Sequence, residues 1–220
     1  VFVGNTSHTV PYMLKHSDLF MDLPDSYHDS AFLDRIHFYI PGWEADIIRG
    51  EMFSNGYGFV VDYLAEILRY LRNRDYSDKY QEYFTLSSDI STRDRDAINK
   101  TFSGLMKILY PKGEASKEEI QAILEFAIEG RKRVKDQLLR IDSTYSKVKF
   151  GFEDQNSNQK TVKTLEEQEY PVHYHHTLES DESVDEKVDI NIEVNTQPAP
   201  KIFKDKELKE QHLTFSENQK

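Results

Sequence analysis

The sequence predicts an α/β fold in which the last strands of a core lead into an α-helical lid and then a polar tail. That tail is read as partly disordered or folded as a β-hairpin. Three observations predict this order. Short β-branched and aromatic runs open the chain, three longer segments repeat apolar residues at helical spacing, and beyond about residue 165 acids dominate while core-forming residues thin out. The predicted divisions are 1–58 for the core, 59–147 for the lid, 148–165 for a hairpin and 166–220 for an acidic linker or tail.

The opening run Val1-Phe2-Val3 reads as a buried strand stopped by Gly4 and Asn5. A central strand needs neighbours on both sides, so this start predicts a C-terminal piece of a larger protein. Thr6–His16 follows as a loop and short helix containing Pro11, Asp18–Pro24 as an extended piece, and Ser30–Ile36 as a short helix. His37–Ile40 is predicted as a strand ended by Pro41-Gly42, and Glu44–Arg49 as another short helix before a glycine-punctuated connection, Gly50–Gly58.

Phe59–Arg72 carries Val60, Val61, Leu64, Ile67, Leu68 and Leu71 at three- and four-residue spacing and predicts the first lid helix. A second runs from Thr92 to Tyr110, with Ser91 as N-cap and Pro111-Lys112-Gly113 as the stop. The third covers Lys117–Asp142. Ser116 and Glu119 make its capping box, and its apolar stripe includes Ile120, Leu124, Ala127, Ile128, Val134 and Leu138. Val148–Glu153 and Thr161–Leu165 then read as hairpin partners around the Asn156–Asn158 turn. Thr177–Lys187 reads as linker or disordered chain, Ile190–Val194 as a lone strand and Pro198–Pro200 as linker. Beyond Glu166 the tail offers too little apolar surface to offset its ordering entropy.

Composition narrows the function classes. The 220 residues include no cysteine, which rules out disulfides and thiolate metal sites and favours a reducing, cytoplasmic setting. No apolar run approaches a membrane span, so no membrane partner is expected. The net charge is -11, and from Gly151 onward acids outnumber bases about two to one, which is a poor electrostatic footprint for DNA.

Three residues are candidates for phosphate chemistry. Asn5, at a strand end, has the side chain to orient an attacking water, or else simply begins a turn. Arg35 precedes a short strand, where its planar guanidinium is suited to reach a neighbour's nucleotide; the alternative is a salt bridge to Asp34 or Asp29. Arg93 opens a helix against the dipole, which an anion partner would explain, and otherwise pairs with Asp94 or Asp96.

Taken together, a strand ending in Asn, a Leu-Asp-Arg before a strand and a Ser-x-Arg opening a lid helix follow the order of sensor 1, arginine finger and sensor 2 in AAA+ ATPases. The wording from Ala31-Phe32-Leu33-Asp34-Arg35-Ile36 through Trp43-Glu44, with Asp62-Tyr63-Leu64-Ala65-Glu66-Ile67-Leu68, resembles the BrxL family over about Val1–Asp154. BrxL proteins are the Lon-related AAA+ ATPases of bacterial BREX phage-defence systems. The resemblance implies a partial AAA+ core from sensor 1 onward, with Asn5 as sensor 1, Arg35 as arginine finger, and Arg93 as sensor 2 with Arg95 as the alternative. It also implies a homo-oligomeric ring that uses ATP and Mg²⁺ and engages DNA.

Two departures stand beside the resemblance. The sequence contains no Gly-x-x-x-x-Gly-Lys-Ser/Thr loop and no strand ending in paired acids for Mg²⁺, so this chain alone is not expected to bind or hydrolyse ATP. Nor does it show a Ser-Lys dyad: Ser87, Ser88 and Ser183 lie in polar or acidic surroundings. The competing readings are a subunit of an ATP-dependent Lon-type protease and a non-functional truncated remnant.

Three further groups are read structurally first. His173, His175 and His176 are suited to bind Zn²⁺ or Ni²⁺, but read more simply as polar strand or linker. Arg69, Tyr70, Arg72, Arg74, Tyr76, Lys79 and Tyr80 mix bases with aromatics as single-strand binders do, yet helix-end snorkelling and lid packing explain them more simply. Arg131, Lys132, Arg133 and Lys135 are expected on a solvated face or a subunit contact.

Overall fold

The computed structural model describes residues 1–58 and 60–176. They belong to one unit, Val1–Val184, while the second unit, Asp185–Lys220, lies outside them, as do the predicted linker at 177–187 and the strand at 190–194. The long third helix is the spine. We number the helices α1 (Val10–His16), α2 (Ser30–Leu33), α3 (Val61–Leu71), α4 (Thr92–Leu109), α5 (Lys117–Ile141), α6 (Leu165–Glu169) and α7 (Pro171–His176). The strands are β1 (Phe84–Leu86), β2 (Gly151–Asp154) and β3 (Gln159–Thr161).

Helix α5 begins as its sequence predicts. The Ser116 hydroxyl accepts from the Glu119 amide while the Glu119 carboxylate accepts from the Ser116 amide. Helix α4 is capped from one side, by the Ser91 hydroxyl, which accepts from the Asp94 amide. Ile98, Phe102 and Met106 of α4, one helical turn apart, meet Ile120, Leu124, Ala127 and Ile128 of α5. Phe84, Leu86, Phe152 and Val162 from the sheet side close the same core.

The sheet is antiparallel with order β1-β2-β3, placing Phe84 opposite Asp154 and Phe152 opposite Lys160. It ties the segment before α4 to the hairpin after α5. The hairpin forms, but its strands lie nearer the turn than predicted, because Asp154 organises the turn. Its carboxylate accepts from the Asn156 and Asn158 amides at 2.8 and 2.9 Å, and Ser157 takes φ 61°. Strand β1 was not predicted, since three residues are too few for a period-two pattern to register.

Residues 1–58 depart most from expectation, for none of them lies in a strand. Val1 and Val3 are exposed, and the Phe2 ring packs against Tyr27 and Phe32 instead. Ile36–Ile40 lies in no strand, and backbone groups of this segment are partnered by a helix instead. Tyr39 N donates to the Gly130 carbonyl, while the Ile36 and Tyr39 carbonyls accept from Arg131 and Arg133. Asp18–Pro24 is a set of turns that buries Leu19 and Phe20 rather than an extended piece. In place of a helix at Glu44–Arg49 there is one 3₁₀ turn, Gly42–Glu44, followed by non-helical chain. The fold of the described residues is therefore mixed helix with a small antiparallel sheet.

Two smaller cores flank the main one. Met13 and Leu14 of α1 pack with Leu19 and with Tyr174 of α7, and Phe20 and Leu33 pack with Val134 and Leu138 of α5. Residues 165–176, mostly predicted as tail, instead form α6 and α7 and bury Glu166 and Tyr174, the former through ion pairs that a count of apolar residues does not see. Helix α3 forms but buries only Leu71, leaving Leu64 and Leu68 exposed. Among the described residues no helix is long and apolar enough to cross a membrane.

Candidate functional site

Of the two arginines singled out for phosphate chemistry, Arg93 pairs with a buried carboxylate, Asp34, and Arg35 follows that residue in the chain. Asp34 follows α2, and its Oδ1 accepts from Arg131 Nη2 at 2.8 Å. Its Oδ2 accepts from Arg93 Nη1, and Lys135 Nζ stands 3.8 Å away. Arg131 also donates through Nε to Asp94 Oδ1 at 2.8 Å and through Nη1 to the Ile36 carbonyl at 2.5 Å. Asp94 in turn accepts from the Ser91 hydroxyl at 2.6 Å. A continuous charge-assisted chain therefore runs from Arg93 through Asp34, Arg131 and Asp94 to the cap of α4.

Arg131 is 0% exposed. A buried guanidinium is tolerated only when its donors are filled, and this one bridges two buried carboxylates and a carbonyl. The sequence did carry a signal for it: Arg131 lies four residues after Ala127 and three before Val134, in phase with the apolar stripe of α5. The expectation of a solvated face for Arg131, Lys132, Arg133 and Lys135 is overturned, since residues 130–138 are buried without interruption. Chain packs around α5 on several sides, and each base has partners. Lys132 pairs with Asp136 at 2.6 Å and Glu167 at 3.0 Å, and Arg133 with Glu166 and Glu129, both at 2.5 Å. Burial pushes the Asp136 carboxyl up against the pull of Lys132, and it pushes the Tyr174 hydroxyl up as well, so that hydroxyl stays protonated and donates to Asp136.

Arg35 is exposed just past α2. Its Nη1 donates to the Ala31 carbonyl at 2.5 Å, and it makes no ion pair with Asp29 or Asp34, contrary to the salt bridge weighed from sequence. Arg93 pairs with Asp34 rather than with Asp94 or Asp96, because Asp94 turns inward to Arg131 and Asp96 takes Lys100 at 2.7 Å. The Asp34 hydrogen bond holds the Arg93 guanidinium above its ordinary value. Asn5 is exposed, and no hydrogen bond or ion pair joins it to either arginine.

Arg95 points elsewhere, into a cleft of about 410 Å³ shared with Ser87, Ser88, Asp89 and Lys149. There Ser88 donates to Asp89 and Lys149 to Gln159, and no hydrogen bond joins Ser87 or Ser88 to Lys149. His173 lies in helix α7, so the strand or linker predicted for the histidine cluster is corrected. Of the basic and aromatic residues from Arg69 to Tyr80, Tyr76 and Tyr80 are drawn into packing, while Arg69, Tyr70, Arg72 and Arg74 stay exposed. Arg74 lies over the Tyr70 ring, Tyr76 donates to the Pro111 carbonyl at 3.0 Å, and buried Tyr80 donates to Asn99 at 2.8 Å.

A mixed helical unit with a small antiparallel sheet, tied by buried charges to an arginine-bearing loop, fits part of an ATPase domain. Residues 1–151 match the family model described as "Lon-like protease BrxL-like, ATPase domain", and the chain belongs to that family. Among curated proteins, the Lon-like protease BrxL of Bacillus cereus (strain H3081.97) is 45% identical over 170 residues, which is 76% of this chain and 25% of that protein. The Lon-like protease BrxL of Escherichia coli O9:H4 (strain HS) is 40% identical over 169 residues, 76% of this chain and 24% of that protein. The chain thus spans about a quarter of the length of these relatives.

Proposed function

We propose that this chain is the sensor-and-lid portion of a ring-forming ATPase that engages DNA in BREX defence against phage, with ATP and Mg²⁺ as cofactors. Arg35 is the arginine finger, Arg93 the sensor 2 residue and Asn5 sensor 1. The observation that carries this reading is the contrast between Arg35 and its neighbour. Asp34 is buried and held from two sides, while the Arg35 guanidinium is exposed and, among the described residues, in no ion pair. That is a cation on a rigid base, suited to reach phosphate bound elsewhere. Both Arg35 and Arg93 fit contact with phosphate charge. A planar guanidinium stabilises charge developing on a transferred phosphoryl group. Arg95, set in its own cleft, is the less suited alternative for sensor 2.

The test is Arg35→Ala in the complete ATPase. ATP binding is retained and hydrolysis falls on the order of a thousandfold, with no rescue by Arg35→Lys. Mixing this variant with a partner defective in its phosphate loop restores part of the activity if the finger acts across a subunit boundary. Normal hydrolysis by a well-folded Arg35→Ala ring rejects the assignment. Membership of an ATP-dependent Lon-type protease is the second reading and draws on the relatives' names. Peptide cleavage that survives Ser87→Ala and Ser88→Ala would place any protease centre outside this pair.

A further inference from the structure

Asp34, which immediately precedes Arg35, is held by both Arg93 and Arg131. Arg93 Nη1 donates to Asp34 Oδ2, while Arg131 holds Oδ1 of the same carboxylate and the carbonyl of Ile36, one residue past Arg35. The two holds differ in kind. Arg131 is buried and also committed to Asp94, so it cannot leave. The Arg93 side chain is 50% exposed, and among the described residues its only ion pair is with Asp34, so it is free to exchange that partner for another anion. A triphosphate is such an anion and carries more charge than a carboxylate.

We propose that Asp34 is a positioning residue of the nucleotide site: it competes with phosphate for Arg93, so that nucleotide capture by the lid releases one of the two clamps on the loop carrying Arg35. This rests on the reading of Arg93 as the residue that meets phosphate. Three features make the exchange physically sensible. Asp34 does not become an orphaned buried charge when Arg93 departs, because Arg131 and Lys135 remain beside it. Arg93 lies in the first turn of α4, one residue before Asp94, so whatever moves it acts on the same turn that Arg131 holds. Ile36 N and Arg35 N donate to the carbonyls of Leu33 and Phe32, so any shift of Asp34 is passed to the finger through short backbone links.

The experiment measures the affinity of the complete ATPase for Mg²⁺ and a non-hydrolysable ATP analogue. The variants are Asp34→Asn, Arg93→Ala and the double variant, each checked by thermal melting. Asn keeps the size and an acceptor oxygen for Arg131; Asp34→Ser is the second variant should Asn not fold. Removing the competitor is expected to tighten analogue binding up to about fivefold, the range set by an ion pair exposed on its Arg93 side. Arg93→Ala weakens it, and the double variant binds as weakly as Arg93→Ala alone, because nothing remains for Asp34 to compete over. If Asp34→Asn does not tighten binding, or tightens it equally when Arg93 is absent, the competition is refuted and only general electrostatics remains. If Arg93→Ala leaves affinity unchanged, the sensor reading itself fails, an outcome distinct from failure of the competition alone.

Discussion

Phe38 lies so close to Gly130 that a Cβ built on the glycine would fall 2.0 Å from Phe38 Cε2. The approach lets Tyr39 N reach the Gly130 carbonyl at 3.2 Å and sets the Phe38 ring against Phe126 with centroids 5.1 Å apart. It docks the segment after Arg35 onto the spine helix. Glycine in mid-helix is otherwise unfavourable, so its place here follows from the close contact.

Gly130→Ala is therefore expected to destabilise the chain by about 1–3 kcal/mol, the overlap outweighing the gain of about 1 kcal/mol in helix propensity. Denaturant unfolding checks this. A more stable variant would show that Phe38 swings aside without cost. Phe38→Ala combined with Gly130→Ala should recover most of the loss due to the overlap.

Arg131→Met keeps the bulk of the side chain and removes its charge. Asp94 is then buried with the Ser91 hydroxyl as its remaining side-chain partner, and Asp34 depends on Arg93 and Lys135. Breaking a buried pair from one side costs about 3–5 kcal/mol, a large part of the roughly 5–15 kcal/mol that holds a domain folded. A shift in the denaturation midpoint corresponding to under 1 kcal/mol would mean that water reaches these carboxylates.

Tyr174 tests whether α7 is part of the folded unit. Its hydroxyl lies 3.0 Å from Lys132 Nζ and donates to Asp136. Tyr174→Phe should cost about 1–3 kcal/mol, because Asp136 stays buried with one partner fewer. Limited proteolysis of the unsubstituted chain should leave a core fragment that retains Tyr174; early cleavage between Glu166 and Tyr174 would contradict the packing of α7 against α1.

Asp154 supplies a pH dependence. Hydrogen bonds from Asn158, its side chain first, and from the Asn156 amide hold the Asp154 carboxyl below its ordinary value of 3.8. A depressed folded-state value contributes stability that is present above the unfolded value and lost as pH falls through the folded one. Acidification below about pH 4 should therefore loosen the hairpin turn. NMR titration should place the Asp154 midpoint under that of an exposed aspartate, and Asp154→Ala should speed exchange of the Asn158 amide and abolish its acid dependence.

The fifth prediction concerns ATP. The sequence has no phosphate-binding loop, so calorimetry of this chain with Mg-ATP should show no binding at micromolar concentration. A micromolar dissociation constant would mean that the phosphates are held by groups other than a glycine-rich loop.

The helices α4 and α5, their caps and their shared apolar faces were legible in the sequence. A 3.6-residue period over eighteen and twenty-five residues, with Ser91 and Ser116 at the starts, is local information that tertiary packing reinforces. The candidate arginines were legible as residues too, through their order along the chain. What they touch was not. Arg93 meets Asp34 across 59 positions, and Arg131 meets Asp34 across 97. Val1–Val3 and His37–Ile40 have strand-like composition, yet β propensity only states that a segment suits a half-buried pleated surface, and whether it pairs depends on which neighbour arrives. For His37–Ile40 that neighbour is helix α5, whose Gly130, Arg131 and Arg133 take the backbone groups a strand would have taken. The run Arg131–Lys135 reads as solvated because charge avoids burial unless it is paired, and its partners beyond α5 come from three separate stretches of chain, around Asp34, Asp94 and Glu166, that only the folded structure brings together.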